Sequence, residues 1–322
     1  MNFNRASGNN SIALQIAFAL VFITGISVFS YMRADKGPKL AKEAAIINEG
    51  DNKEFTASSV MPDKAEFEAA AEAVIPVSGH KSKIVFKDSV LKLVQSGVID
   101  RLKFEDIYAN RGGAPKEVAA LLRSPSDERI FINRENANAY LNVLWPLGLA
   151  NYMKVNEASP VNGKDLMNFA STGGWTLGKE ENGGAYFNKF KIVPLTSEQE
   201  TLVKRVAENT YRPCCGNSTF FQDCNHGSAL LGLLELGASQ GLTEDELFRE
   251  ALAFNSFWFP DTYIQTAVYF KAAKGIEWRD IDPKTVMGQD YSSGLGWYEN
   301  VRKENERLGL VPEEKGGASC GV

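Results

Sequence analysis

Histidine is nearly missing from this sequence: 322 residues hold two, His80 and His226, so chemistry that needs an imidazole has almost nowhere to draw it from. Cysteine is scarce as well, at four, and three of these, Cys214, Cys215 and Cys224, fall within eleven residues while Cys320 stands near the end. Such crowding is not the dispersed framework of a disulfide-stapled fold. An excess of basic residues is lacking too. With 35 Lys and Arg against 40 Asp and Glu, the formal charge of -5 cannot neutralise a phosphate backbone by counterion release, which excludes nucleic acid as an expected partner. No fixed period of self-similarity is present, which argues against a solenoid.

What is present is an ordinary globular composition, 44% hydrophobic, preceded by one long uncharged run. Residues 12–32 read IALQIAFALVFITGISVFSYM, about 21 residues that at roughly 1.5 Å each span a hydrocarbon core of about 30 Å. This predicts a transmembrane anchor behind an N-terminal tail, 1–11. The run is longer than the roughly 7–15 apolar residues of a cleaved signal, and Tyr31, Met32 and Arg33 stand where a cleavage site needs small residues. No cysteine ends the run, so it carries no lipoprotein attachment site. Arg33, Lys36, Lys39 and Lys42 would hold the adjoining domain on the cytoplasmic face by the positive-inside rule. A very short tail before an apolar run is, against that, the layout of an uncleaved anchor that exports the domain C-terminal to it. We expect the extracytoplasmic orientation.

Residues 33–60 mix alternating charges with Ser, Asn and Gly and predict a flexible tether. The rest, 61–310, predicts a mainly α fold: one helical domain with a small β accessory element, ending in a flexible tail over 311–322. Apolar residues recur at helical spacing over 87–99, 114–124 and 133–150, where Asn133 or Asn136 is placed to cap. Ser197 and Glu200 stand at capping-box spacing for a helix from Thr196 or Ser197 to Tyr211. Residues 227–239 read as an apolar helix, and Thr243 with Glu246 opens another through 254, after which Pro260 breaks the chain before a further helix. Two β-prone runs, 129–133 and 189–194, predict a hairpin. Trp175, Phe257, Trp258, Phe259 and Trp297 read as core packing, and His80, between Gly79 and Lys81, as a solvated side chain.

The chemistry concentrates over 211–227, YRPCCGNSTFFQDCNHG, a loop between two predicted helices. Three sulfurs and the imidazole of His226 make a four-ligand set, and Gly216 and Gly227 permit the turns that would converge them. Thiolates select copper(I), zinc or iron–sulfur chemistry over magnesium or calcium. Ligands of structural zinc are usually two to four residues apart, whereas Cys214 and Cys215 are adjacent, so a single tetrahedral zinc is allowed without being compelled. Copper(I), content with two or three soft ligands, suits Cys214, Cys224 and His226 with Cys215 in reserve. Asn217, Asp223 and Asn225 are placed to support these ligands by hydrogen bonds, or to act as turn and cap residues. Cys320 either completes the coordination or is incidental.

Pro213, Cys214, Cys215 and Gly216, followed by Cys224, His226, Gly227, Gly241 and Thr243, resemble about 50 residues of an exported, membrane-attached bacterial group named for a PCYCGC motif. In that group a cysteine-rich stretch, a further cysteine and a His-Gly pair precede two helices; here the tyrosine and one cysteine of the motif are missing. The resemblance implies export, membrane attachment and a metal-binding role. The sequence thus predicts a membrane-anchored envelope protein, attached through 12–32, that binds copper or zinc through Cys214, Cys215, Cys224 and His226 for structure, for storage or for transfer to or from a donor or acceptor protein. Two alternatives stand beside it. One is a hydrolase with Cys224 as nucleophile, for which His226, two residues away, is an awkward base. The other is a structural protein with disulfides among the same cysteines.

Overall fold

A computed structural model describes residues 64–311. The expected N-terminal tail, anchor and tether (1–60) lie outside the described residues, as does the tail from 312 onward with Cys320. Among the described residues no helix is long and apolar enough to cross a membrane.

Helix α1 (Lys64–Val74) leads into strand β1 (His80–Lys87), and three short helices, α2 (Ser89–Gln95), α3 (Arg101–Ala109) and α4 (Lys116–Leu121), precede strand β2 (Ser126–Ile132). Five longer helices come next: α5 (Ala137–Ala150), α6 (Ser197–Glu208), α7 (Asn225–Ser239), α8 (Glu244–Trp258) and α9 (Pro260–Lys274). Short helical turns from Pro283 to Arg307 close the described chain. The fold is mainly helical with one small two-stranded sheet.

Helices α5 and α7 form the centre because both are apolar on nearly every face, the pattern of a helix with no side turned to water. They approach backbone to backbone. A Cβ added at Gly232 would meet Leu144 O at 2.6 Å and Gly148 N at 2.8 Å, so only glycine fits the crossing. The capping box that starts α6 is Thr196 with Gln199, one residue earlier than the Ser197–Glu200 pair expected. The helix ends at Glu208 and frees 209–224 to form the loop that carries the site. Thr243 and Glu246 do form a capping box, and α8 runs on to Trp258. Pro260 occupies the first turn of α9, where a missing N–H costs nothing.

The expected hairpin is corrected in one strand. β2 includes 129–132, but its antiparallel partner is β1, with His80 opposite Ile132 and Lys87 opposite Ser126. β1 alternates, burying Ser82, Ile84 and Phe86. Gln240, at the end of α7, accepts from Val85 N (3.0 Å) and donates to Val85 O (2.8 Å), fastening the sheet to the central helix. Residues 189–194 do not form a strand. Their backbone N–H groups at Ile192 and Val193 donate to the Asn151 side chain at 3.0 and 2.8 Å, which replaces a ladder. Trp175 and Phe257 are buried, and Trp175 meets Trp145 edge-on at 4.9 Å. His80 is not simply solvated: its Nε2 lies 3.1 Å from Oε2 of buried Glu250.

Candidate metal centre

The loop between α6 and α7 is built around Arg212, whose side chain is 0% exposed. An antiparallel bridge between Tyr211 and Ser218 pinches the loop, and Thr219 N donates to Thr210 O at 2.8 Å. Inside it, Arg212 Nη1 donates to Asn217 O (2.8 Å), Nη2 to Phe221 O (3.0 Å) and to Asp223 Oδ1, and Nε to Cys224 Sγ (3.2 Å). Asn217 Nδ2 donates to the other Asp223 oxygen at 2.7 Å. A single planar cation thus ties two loop carbonyls, a carboxylate and a sulfur into one arrangement, which five fixed N–H donors make possible. From outside, Gly294 N donates to Cys215 O at 2.8 Å and holds the cysteine pair down.

Cys224 is the N-cap of α7. Its backbone is extended (φ -126°, ψ 166°), and its Sγ accepts from Gly227 N at 3.4 Å, satisfying one of the free N–H groups at the helix start. Glycine at 227 leaves room for the guanidinium: a Cβ there would lie 2.7 Å from the Arg212 guanidinium carbon and would push it aside. Sγ of Cys214 is 3.5 Å from Sγ of Cys224, and Sγ of Cys215 is 3.9 Å from Asp223 Oδ1.

Joined by Asp223, the four ligands expected from sequence form two groups of three that share Cys224. One ligand atom each from Cys214, Cys224 and His226 lie within 4.8 Å of one another, and so do those of Cys215, Asp223 and Cys224. Either group has the geometry to hold a metal ion, and Cys224 belongs to both. Asp223 therefore sits among the candidate ligands as well as supporting them. Asn225 turns its side-chain oxygen onto the backbone N–H of His226 at 2.9 Å rather than onto the ring. The ring itself rests against Phe259, centroids 4.5 Å apart, and Trp258, at 6.1 Å, so these aromatics wall the imidazole besides packing the core.

The electrostatics single out one sulfur. Hydrogen bonds from the thiols of Cys214 and Cys215 hold Cys224 well below the ordinary thiol range; the His226 ring and the Arg212 guanidinium add to them, and burial opposes. The same thiol contacts push Cys214 upward. Burial alone would weaken the charge of Arg212, but Cys224, Cys215 and Asp223 outweigh it and hold the guanidinium more firmly protonated than usual. Within the cluster Cys224 is the sulfur held towards its charged form, while Cys214 and Cys215 are held towards the thiol. Cys214, Cys215 and Cys224 are free thiols, so the disulfide arrangement considered from sequence is not formed.

Sequence reasoning missed Arg212. The available signal was its place two residues ahead of a cysteine pair, where a buried cation would be needed to balance clustered thiolates. The turn at the start of α7 also brings His226 back to within 4.8 Å of Cys224, closer than their spacing in sequence suggested. Comparison with protein-family models, with curated proteins and with solved structures gives no match.

Proposed function

We propose that this chain is a membrane-anchored envelope protein that holds a thiophilic metal ion, copper or zinc, in the loop between α6 and α7. The observation that carries the reading is the convergence of Cys214, Cys224 and His226 within 4.8 Å at the first turn of a 15-residue helix. Two sulfurs and an imidazole suit zinc and copper(I) and exclude preference for hard, oxygen-seeking ions. Attachment through 12–32, an extracytoplasmic domain and a metal donor or acceptor protein as partner are supported by the apolar run and the likeness to the PCYCGC group. Cys214 is the exposed member of the set, the natural place for incoming metal to bind first.

The test is elemental analysis of the full chain, purified under reducing conditions without chelator. The reading expects stoichiometric copper or zinc; less than roughly a tenth of an equivalent, where a folded site should be filled, sinks it. His226→Ala should weaken binding by more than the roughly 10–100-fold that loss of a mere supporting partner costs.

A second reading has one observation behind it, the depressed Cys224 thiol with His226 beside it. There Cys224 is a nucleophile and His226 its base, as in cysteine hydrolases. A hydrolytic activity abolished by alkylation, in protein whose metal content is unchanged, would favour it.

A further inference from the structure

We infer that the loop holds two copper(I) ions bridged by the sulfur of Cys224, one bound by Cys214, Cys224 and His226 and the other by Cys215 and Cys224 beside Asp223. This rests on the metal-binding reading above and deepens it.

The first argument is geometric. The two ligand groups share Cys224 alone, and adjacent residues such as Cys214 and Cys215 do not readily bring both sulfurs to one tetrahedral centre. Here they do not have to: Cys214 is grouped with His226, and Cys215 with Asp223, while each remains within 4.8 Å of the Cys224 sulfur. A thiolate has lone pairs enough to bridge.

The second argument concerns coordination number. Each group offers at most three protein ligands, and zinc prefers four. Copper(I) is satisfied by two or three soft donors, so the first group is a complete trigonal set for it. In the second group Asp223 Oδ1 is already engaged by Arg212 and Oδ2 by Asn217. That leaves Cys215 and Cys224 as the two sulfurs of a near-linear site, with the carboxylate alongside.

Charge supplies the third. Three cysteine sulfurs and the Asp223 carboxylate surround one buried cation, Arg212. Each copper(I) takes the place of one thiol proton, so the charge beside Arg212 is the same with two ions as with none, and the second ion adds no net charge to a poorly solvated place. Loading is a simple exchange. The thiol protons of Cys214 and Cys215 depart to solvent as their sulfurs take copper, the Cys224 thiolate bonds to both ions, and copper stays in the +1 state throughout.

The experiment is an anaerobic titration with copper(I), delivered from a colorimetric copper(I) chelator, of the full chain carrying Cys320→Ser so that the tail thiol contributes nothing. The inference expects two equivalents bound, falling to one when Cys215→Ser is added. It also expects a copper–copper shell in the X-ray absorption spectrum of the doubly loaded chain, which examines the pair without altering Cys215. One equivalent in the Cys320→Ser chain, two that survive Cys215→Ser, or a spectrum with no metal–metal shell overturns the pair and leaves the single-ion reading intact. If no copper binds, the pair falls; if zinc fails to bind as well, the single-ion reading falls with it.

Discussion

Arg212 illustrates how one residue can set the state of its neighbours. Its guanidinium is sealed from water and donates to Cys224, Asp223 and two loop carbonyls, so its removal leaves a carboxylate and a thiolate facing each other without a cation. Breaking a buried pair by deleting one partner costs about 3–5 kcal/mol, which Arg212→Ala should show as a lowered urea midpoint. Arg212→Lys keeps the charge but cannot reproduce the planar fork, so it should fold while contacting fewer of these acceptors. In Arg212→Ala the pH at which Cys224 becomes half reactive towards iodoacetamide should rise, tracked peptide by peptide by mass spectrometry, and in Arg212→Lys, which keeps the charge, it should rise less. An unchanged midpoint and an unchanged alkylation profile would show that the guanidinium merely fills space. The direction comes from the folded-state shift: Cys224 is held low by its thiol donors first and by Arg212 after them, so losing the cation removes part of that stabilisation.

At the scale of elements, the site depends on where α7 lies, and the crossing with α5 decides that. Gly232 faces Leu144 O and Gly148 N at distances no Cβ tolerates, and backbone cannot swing aside as a side chain can. Helix propensity alone would make Gly232→Ala stabilising by about 1 kcal/mol. Overpacking two backbones should win, for a net loss of roughly 1–3 kcal/mol read as a shift in chemical unfolding. A more stable Gly232→Ala protein would mean that the crossing is looser than these distances require. The helices that meet here were legible in the sequence because apolar residues fill most of their positions, and the Thr243–Glu246 box was legible because nothing competes with it. Thr196-x-x-Gln199 and Ser197-x-x-Glu200 are overlapping boxes, by contrast, and local spacing cannot choose between them. The partner of β2 was missed for a different reason. Pairing of His80 with Ile132 spans helices α2 to α4, and the β-prone run at 189–194 loses its ladder only because Asn151 supplies the acceptor.

At the scale of the whole molecule, the ligand residues were legible because they crowd into 214–226, whereas the two charged side chains sealed at 0% exposure were not, since a charged letter in a sequence reads as solvated until its surroundings are known. Arg212 is one and Glu235 the other. Glu235 lies in the middle of α7, 0% exposed, and both its carboxyl oxygens lack a hydrogen-bond partner. Burial pushes its carboxyl well above the usual range, with the Asn151 amide only partly offsetting and Glu200 adding to the rise. The native state therefore keeps the proton, while the unfolded chain releases it near an ordinary glutamate value of about 4.3. Below that pH both states are protonated and the carboxyl costs nothing through linkage. As pH rises from there towards the folded value, the unfolded state alone loses the proton, and stability declines. Glu235→Gln has no proton to lose. Urea midpoints of the two proteins, measured across a pH series at fixed ionic strength, should therefore draw apart steadily above about pH 4.3, with the variant gaining relative to the parent. Parallel curves would mean that Glu235 ionises as easily in the fold as outside it. The same series bears on the metal centre from the opposite side. Cys224, held low in the fold, contributes stability that is complete above the unfolded thiol value of about 8.5 and is lost as pH falls from there through its folded value, so in Cys224→Ser that rise with pH should flatten while the Glu235 slope remains.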